Sequence, residues 1–348
     1  MPRVHFDPKH SLLWDQLHEI GKDWIRSDKP VDETPSAILF QEILPAFPYH
    51  ASEHKLLNIT GSKLAQCLTG VVDPLHLLFR RKEDKQLLED VYTNGPMYKA
   101  ITKLLASFLQ KAFTSDRGQG TFHILELGGG TGGTIKHIVD FLCRQGISFT
   151  YTFTDISGSL VGAAKKKFAG QTCMEHRVLD IEKEPPSEFL HRLHTIISTN
   201  CIHATRNLQA STANIHRMLR PDRFVSLVEF TKNIFWFDLV FGLLEGWWLY
   251  QDGRKHVLAS ESFWDRSLRA ADFEHVTWTD GSSEEARTLR IIAGFPTKPA
   301  KASFARKKLS RKPKLETVMY QQAGKTTLYA DVYVPFNITP NEKRPIGK

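Results

Sequence analysis

Apolar positions change their spacing partway along the 348-residue chain, and the change divides it into regions. Up to about residue 116 the spacing is helical. Ile101, Leu104, Leu105, Phe108, Leu109 and Phe113 recur at the i, i+3, i+4 intervals of one buried helix face. Ser36 to Leu44 reads as a short amphipathic helix that Pro45 should end, because proline disfavours helical geometry in the residue before it. Thr93-Asn94-Gly95-Pro96 is a turn signal ahead of the long helix.

From Thr121 short apolar runs alternate with helical segments. Strands are expected at Phe122–Leu127, Phe149–Thr154, Arg177–Asp180, Thr195–Ser198 and Phe224–Phe230. Helices are expected over Ile135–Leu142 and Ser157–Phe168, and over a segment closing at Leu219 before Pro221. This alternation implies a parallel sheet with helices on both faces, an α/β fold. His275–Thr279 and Leu289–Phe295 are separated by a polar stretch too short for a helical crossover, so that pair should be antiparallel. Glu316 to Val334 reads as strand, turn, strand with Gly324 at the turn, and the roughly 30 residues there are too few for a core of their own.

Composition is that of an ordinary globular protein, with 41% apolar and 24% charged residues. No apolar run is long enough for a membrane span, and the N-terminus lacks the apolar core of a signal peptide. Four cysteines without CxxC spacing suggest neither a disulfide framework nor a metal site, so a reduced, cytoplasmic protein without a metal is expected. The net charge of +8 raises the question of a nucleic-acid partner. Its location answers against one. Eight basic and no acidic residues lie between Lys298 and Lys314, which accounts for the whole excess and reads as a linker.

The candidate chemistry begins at Glu126-Leu127-Gly128-Gly129-Gly130-Thr131-Gly132-Gly133, between a strand and a helix. Glycines there let a ligand approach the backbone, and Gly128, Gly130 and Gly133 match GxGxxG with Asp155 at the end of the next strand. A nicotinamide-binding fold would use the same pattern. Two features favour S-adenosylmethionine: Glu126 can face a cationic methionine moiety, and the sheet ends in an antiparallel pair. Asp180, at the end of the third strand, could reach the adenine end or could equally form a surface turn. Ligands of such sheets bind beyond the carboxyl ends of the strands. His203 and Glu229 should meet at that rim, as a base able to take a proton from carbon flanked by carbonyls and a carboxylate that orients it. His191 and His194 form an HxxH that reads as a solvated helix face. The aromatic stretches 235–237 and 246–250 read as core, with an apolar substrate wall as the other possibility.

The stretches FPYHASEHKLLNITG (47–61), LLEDVYTNGPM (87–97), ILELGGGTGGT (124–134), STNCIHATRN (198–207) and GWWLYQDGRKHVLASESFWDRSLRAA (246–271) together resemble the C-methyltransferase domain of fungal non-reducing polyketide synthases, over about residues 10–297. The resemblance implies a class I, Rossmann-like methyltransferase core of seven strands at 117–297, beneath a helical lid at 1–116. It also implies a linker at 298–315. Residues 316–348 resemble the opening strands of an α/β-hydrolase releasing domain, stopping before any Gly-x-Ser-x-Gly turn. Carried onto matching positions, it makes His203 the base that removes the α-proton of a β-ketoacyl thioester, Glu229 its partner, and Tyr92 a lid residue that either reaches the site or only packs. Glu126, the loop glycines, Asp155, Asp180 and Asn200 would hold S-adenosylmethionine, and the partner would be an acyl carrier protein, with no nucleic acid or membrane. Methylation of oxygen or nitrogen on a released small molecule, a non-catalytic remnant and an oxidoreductase stay open as alternatives.

Overall fold

The computed structural model describes residues 7, 10–26, 33–114, 120–297, 315–323 and 326–333. Residues Met1–Pro299 form one compact unit. It opens with helices α1 (Ser11–Arg26), α2 (Ser36–Ala46), α3 (Ala51–Gly61), α4 (Leu64–Leu68), α5 (Pro74–Phe79), α6 (Lys82–Asn94) and α7 (Pro96–Thr114). Gly95-Pro96 makes the corner between α6 and α7, with the Gly95 amide closing on Val91 O at 3.0 Å. Along α7, Ile101, Leu105, Leu109 and Phe113 are buried, and Phe113 stacks on Phe122 at 4.4 Å between ring centroids. Leu104 corrects the expected face, being 47% exposed. Pro45 lies inside α2 rather than ending it, because the last turn still closes through the Phe47 amide on Ile43 O at 2.8 Å. No residue of α2 is buried, so it has no core-facing stripe.

The sheet follows as β1 (Phe122–Leu127), β2 (Phe149–Asp155), β3 (Met174–Val178), β4 (Leu193–Thr199), β5 (Leu219–Phe230), β6 (His275–Trp278) and β7 (Leu289–Phe295), in the order β3-β2-β1-β4-β5-β7-β6. The first five are parallel, while β7 runs antiparallel to both β5 and β6. Helices α8 (Gly133–Arg144), α9 (Gly158–Lys167) and α10 (Leu208–Met218) provide crossovers, and α11 (Phe235–Val240), α12 (Glu261–Ala270) and α13 (Glu284–Thr288) follow β5 and β6. Successive strand residues face opposite sides. Ile124 joins the core made with α7 and α8, and Leu125 and Leu127 join the core made with α10 and α12. A seven-stranded mixed sheet between helical layers is the class I methyltransferase architecture.

Two boundaries and one placement differ from the sequence reading. The third strand ends at Val178, paired with Asp155, so Asp180 lies beyond it. β5 begins at Leu219 and carries Pro221 within it, near its start. His194 is not on a solvated helix face: it sits in β4, 4% exposed, and its Nδ1 accepts the His123 amide at 3.0 Å. Burial first, then Arg220 and Arg223, push its imidazole down to about 4. Residues 298–314 lie outside the described residues, as does Gly324. In the second unit, Leu315–Ala323 (β8) and Thr326–Tyr333 (β9) form the expected antiparallel hairpin. Among the described residues, no helix is long and apolar enough to cross a membrane.

Candidate active site

β1, β4 and β5 are neighbours, and each delivers one group to the same rim: Glu126 near the end of β1, Asn200 just after β4, Glu229 near the end of β5. The turn from β1 into α8 is built on glycine because the backbone requires it. Gly128 has φ of 63°, and a Cβ there would stand 2.1 Å from Cys201 Sγ. Gly133 meets the helical region directly, since a Cβ there would lie 3.3 Å from Tyr92 O. Asp155 holds the loop from behind: Oδ2 accepts the Gly130 amide at 2.9 Å and Oδ1 accepts the Ser157 amide at 2.8 Å.

Between the glycine loop and α6 lies a cavity of about 530 Å³. Gly128, Gly130, Glu126 and Asn200 line one side, Lys85 and Tyr92 another. Asp155 and Asp180 are not on its wall. Asp180 makes a surface turn, accepting the Glu182 amide at 3.1 Å with Lys183 Nζ at 3.5 Å from its other oxygen.

Glu126 is 2% exposed, and its Oε2 makes no well-formed hydrogen bond. Burial pushes its carboxyl up to about 7, the adjacent Tyr151 hydroxyl pulls it partway back, and the charge of Asp155 adds to the rise. A buried acid so perturbed, facing a cavity beside a glycine cradle, is short of a cation. S-adenosylmethionine, with its sulfonium and ammonium groups, fits that requirement. A pyrophosphate beside Glu126 would add charge repulsion instead. Asn200, in the left-handed region at φ 47°, donates through Nδ2 to the Tyr98 hydroxyl at 2.7 Å and leaves Oδ1 without a partner.

His203 and Glu229 are in contact. Nδ1 of His203 lies 2.6 Å from Glu229 Oε2, and both side chains are buried. Glu229 Oε1 accepts the amides of Cys201 and Ile202 at 3.3 and 3.1 Å. One carboxylate therefore fixes both the ring and the backbone that carries it. Trp247 meets the imidazole edge-on at 5.6 Å. The pair does not line the cavity itself, and Tyr92 connects the two regions. Tyr92 is on the cavity wall, 5.1 Å from the Tyr98 ring and 6.3 Å from Phe241. Burial, then the charge of Glu229, push the Tyr92 hydroxyl far above its ordinary range. Burial also pushes the Cys201 thiol up to about 12, so it is a packing residue rather than a nucleophile. Of the aromatic stretches, Phe237 and Trp247 are buried, and both pack on Phe241 between them.

The sequence reading did not single out Tyr98, the partner of Asn200, although it closes the YTNGPMY stretch two residues after the Gly95-Pro96 corner. It also missed Lys85, which shares a face of α6 with Leu88 and Tyr92.

A family model described as a methyltransferase domain matches residues 125–224. Non-reducing polyketide synthase pkbA of Emericella nidulans is 58% identical over 359 residues, covering all of this chain and 14% of the synthase. The chain thus spans about 14% of the length of that curated relative. Among solved structures, the CMeT domain of the citrinin polyketide synthase superimposes with a TM-score of 0.81 at 38% identity, over 85% of this chain and 81% of that one. The CurJ carbon methyltransferase does so with 0.76 at 26%, over 84% and 82%.

Proposed function

Since the chain belongs to the C-methyltransferase domains of polyketide synthases, we propose that it transfers the methyl group of S-adenosylmethionine to the α-carbon of a β-ketoacyl thioester. The supporting observation is the buried His203–Glu229 pair, its histidine on the loop that begins at Asn200, joined through Tyr92 to a glycine-cradled cavity that contains a cation-seeking carboxyl. Glu126, the backbone of Gly128–Gly130 and Asn200 are the groups that hold the cofactor, with Asp155 maintaining the shape of the loop and Asp180 outside the contact set. When bound, the cofactor supplies an electrophilic methyl group.

The remaining chemistry belongs to the chain. His203 uses Nε2, the ring nitrogen not engaged by Glu229, to take the α-proton, and an enolate forms on the substrate. Glu229 holds the ring in the tautomer with hydrogen on Nδ1 and stabilises the imidazolium that results. Its two backbone contacts keep it from rotating away when that charge appears. Tyr92, protonated at any working pH, offers a hydroxyl at the junction of cavity and base, where it can donate to the enolate oxygen. Positioning accounts for the rest, because two reactants held in line need no collision. The carrier of the acyl chain is an acyl carrier protein of the same synthase, in keeping with the relatives being synthases that the chain covers only in part.

Incubation with S-adenosylmethionine and the acetoacetyl thioester of N-acetylcysteamine, followed by mass spectrometry, tests the proposal. One added methyl on the α-carbon, absent with His203→Ala, is expected. Methylation at oxygen, or undiminished turnover by His203→Ala, would overturn it.

A further inference from the structure

The stretch that follows the tryptophan pair, Gln251-Asp252-Gly253-Arg254, takes no part in the mechanism above, yet it is built against the loop that carries His203. Between β4 and α10 the chain has only one short 3-10 turn, Ile202–Ala204. The last carbonyls of such a turn have no partner within it. They find one in Arg254, whose side chain is 2% exposed. Its Nη1 donates to His203 O at 2.7 Å and to Val257 O at 2.9 Å, and its Nη2 donates to Thr205 O at 2.7 Å. Its Nε donates to Asp252 Oδ1 at 2.7 Å, while Asp252 Oδ2 accepts the amide of Leu208, the first residue of α10, at 2.9 Å. The Gln251 amide donates to Arg206 O at 2.7 Å. Gly253, at φ 82°, makes the turn that lets Asp252 and Arg254 face one loop.

The loop is thus held from both sides. Glu229 accepts from the amides of Cys201 and Ile202, and Arg254 donates to the carbonyls of His203 and Thr205. A guanidinium is costly to bury, and an apolar side chain would fill the same space more cheaply. What the fork adds is simultaneous, directional contact with several carbonyls, which the single point charge of lysine cannot reproduce.

We propose that Arg254, oriented by Asp252, is the positioning residue for His203: it sets the loop so that Nδ1 meets Glu229 and Nε2 faces the substrate. This rests on the reading of His203 as the base, and the two are tested separately in the full chain with Arg254→Lys and Asp252→Asn. Proton NMR of ¹⁵N-histidine-labelled protein follows the downfield Nδ1–H of His203, assigned by its loss in His203→Ala. That resonance should shift or broaden in both variants while cofactor affinity stays within about twofold of wild type. On the acetoacetyl thioester, kcat should fall at least tenfold with KM within about twofold, since a displacement of about 1 Å costs on the order of 10²-fold. An unchanged resonance in both variants overturns the proposal, as does a loss of cofactor affinity equal to the loss of kcat, which would mean a general folding role. If Arg254→Lys does not fold, Asp252→Asn decides. If the wild type methylates no carbon, the functional reading fails and the resonance alone still decides the positioning claim.

Discussion

Glu126→Gln removes the perturbed acid from the cavity at constant volume. In the folded chain its carboxyl titrates at about 7 against an ordinary value of 4.5. The folded state therefore prefers the neutral acid, and stability present below about pH 4.5 is lost as pH rises through about 7. That interval corresponds to a cost of about 3 kcal/mol for ionised Glu126 in the ligand-free protein. Above pH 7 the glutamine variant should melt higher than wild type by several degrees, and near pH 4.5 the two should converge.

Cofactor binding should run the opposite way. At pH 8 wild-type Glu126 is ionised and pairs with the cationic ligand, so the variant binds S-adenosylmethionine at least about tenfold more weakly. At pH 5.5 only about 3% of wild-type Glu126 is ionised, and the ratio of affinities should narrow towards one. Differential scanning fluorimetry and isothermal titration calorimetry at both pH values measure the two effects. An affinity ratio independent of pH, or a variant less stable than wild type at pH 8, would refute this account.

Three other outcomes are expected. Glu229→Gln keeps one acceptor oxygen and turns the other into a donor, which opposes either the His203 ring or the two backbone amides, so kcat should fall by about 10² or more with cofactor affinity retained, as read from single-turnover methylation. Gly128→Ala brings a Cβ within 2.1 Å of Cys201 Sγ at a positive φ and should lower stability by about 1–3 kcal/mol in urea melts. Adding Cys201→Ala removes Sγ but leaves its Cβ 2.6 Å from the new methyl, so it should recover only a fraction of the steric loss. His194, held down at about 4, binds its proton more readily when unfolded, so stability is lost as pH falls from 6.5 towards 4. His194→Gln should flatten that acid limb by up to about 3 kcal/mol.

The central strands were legible because each is a short apolar run closed by a polar residue or glycine, Gly128 after β1, Asp155 in β2, Asn200 after β4 and Thr231 after β5, and the register then brings Glu126, Asn200 and Glu229 to one rim without further information. β3 was placed late because it is an edge strand with no fully buried side chain, leaving little hydrophobic signal at its start. His194 was misread since HxxH spacing carries no information about the strand behind it. Only the sheet, by setting β4 beside β1, supplies the His123 amide that lets the ring be buried. Leu104 fell on a helical stripe wider than the surface its neighbours cover. Arg254 was illegible for a different reason. Its partners lie about fifty residues earlier, and nothing local separates it from a surface arginine except an adjoining glycine and aspartate.

The place of β7 fixes when the site can exist in a growing chain. Glu229 sits on β5, and the strand that covers the outer edge of β5 is not β6 but β7, the last of the sheet. A ribosome-bound chain that has released every candidate residue of the site still exposes the free edge of β5, because the backbone at Glu229 pairs in register with Arg290 only after β7 has emerged. Until then the central sheet has an open hydrogen-bonding edge along the strand that carries Glu229, although the carboxylate's own partners, His203 and the amides of Cys201 and Ile202, have already emerged. A chain that ends before Phe295 therefore leaves the edge of β5 uncovered.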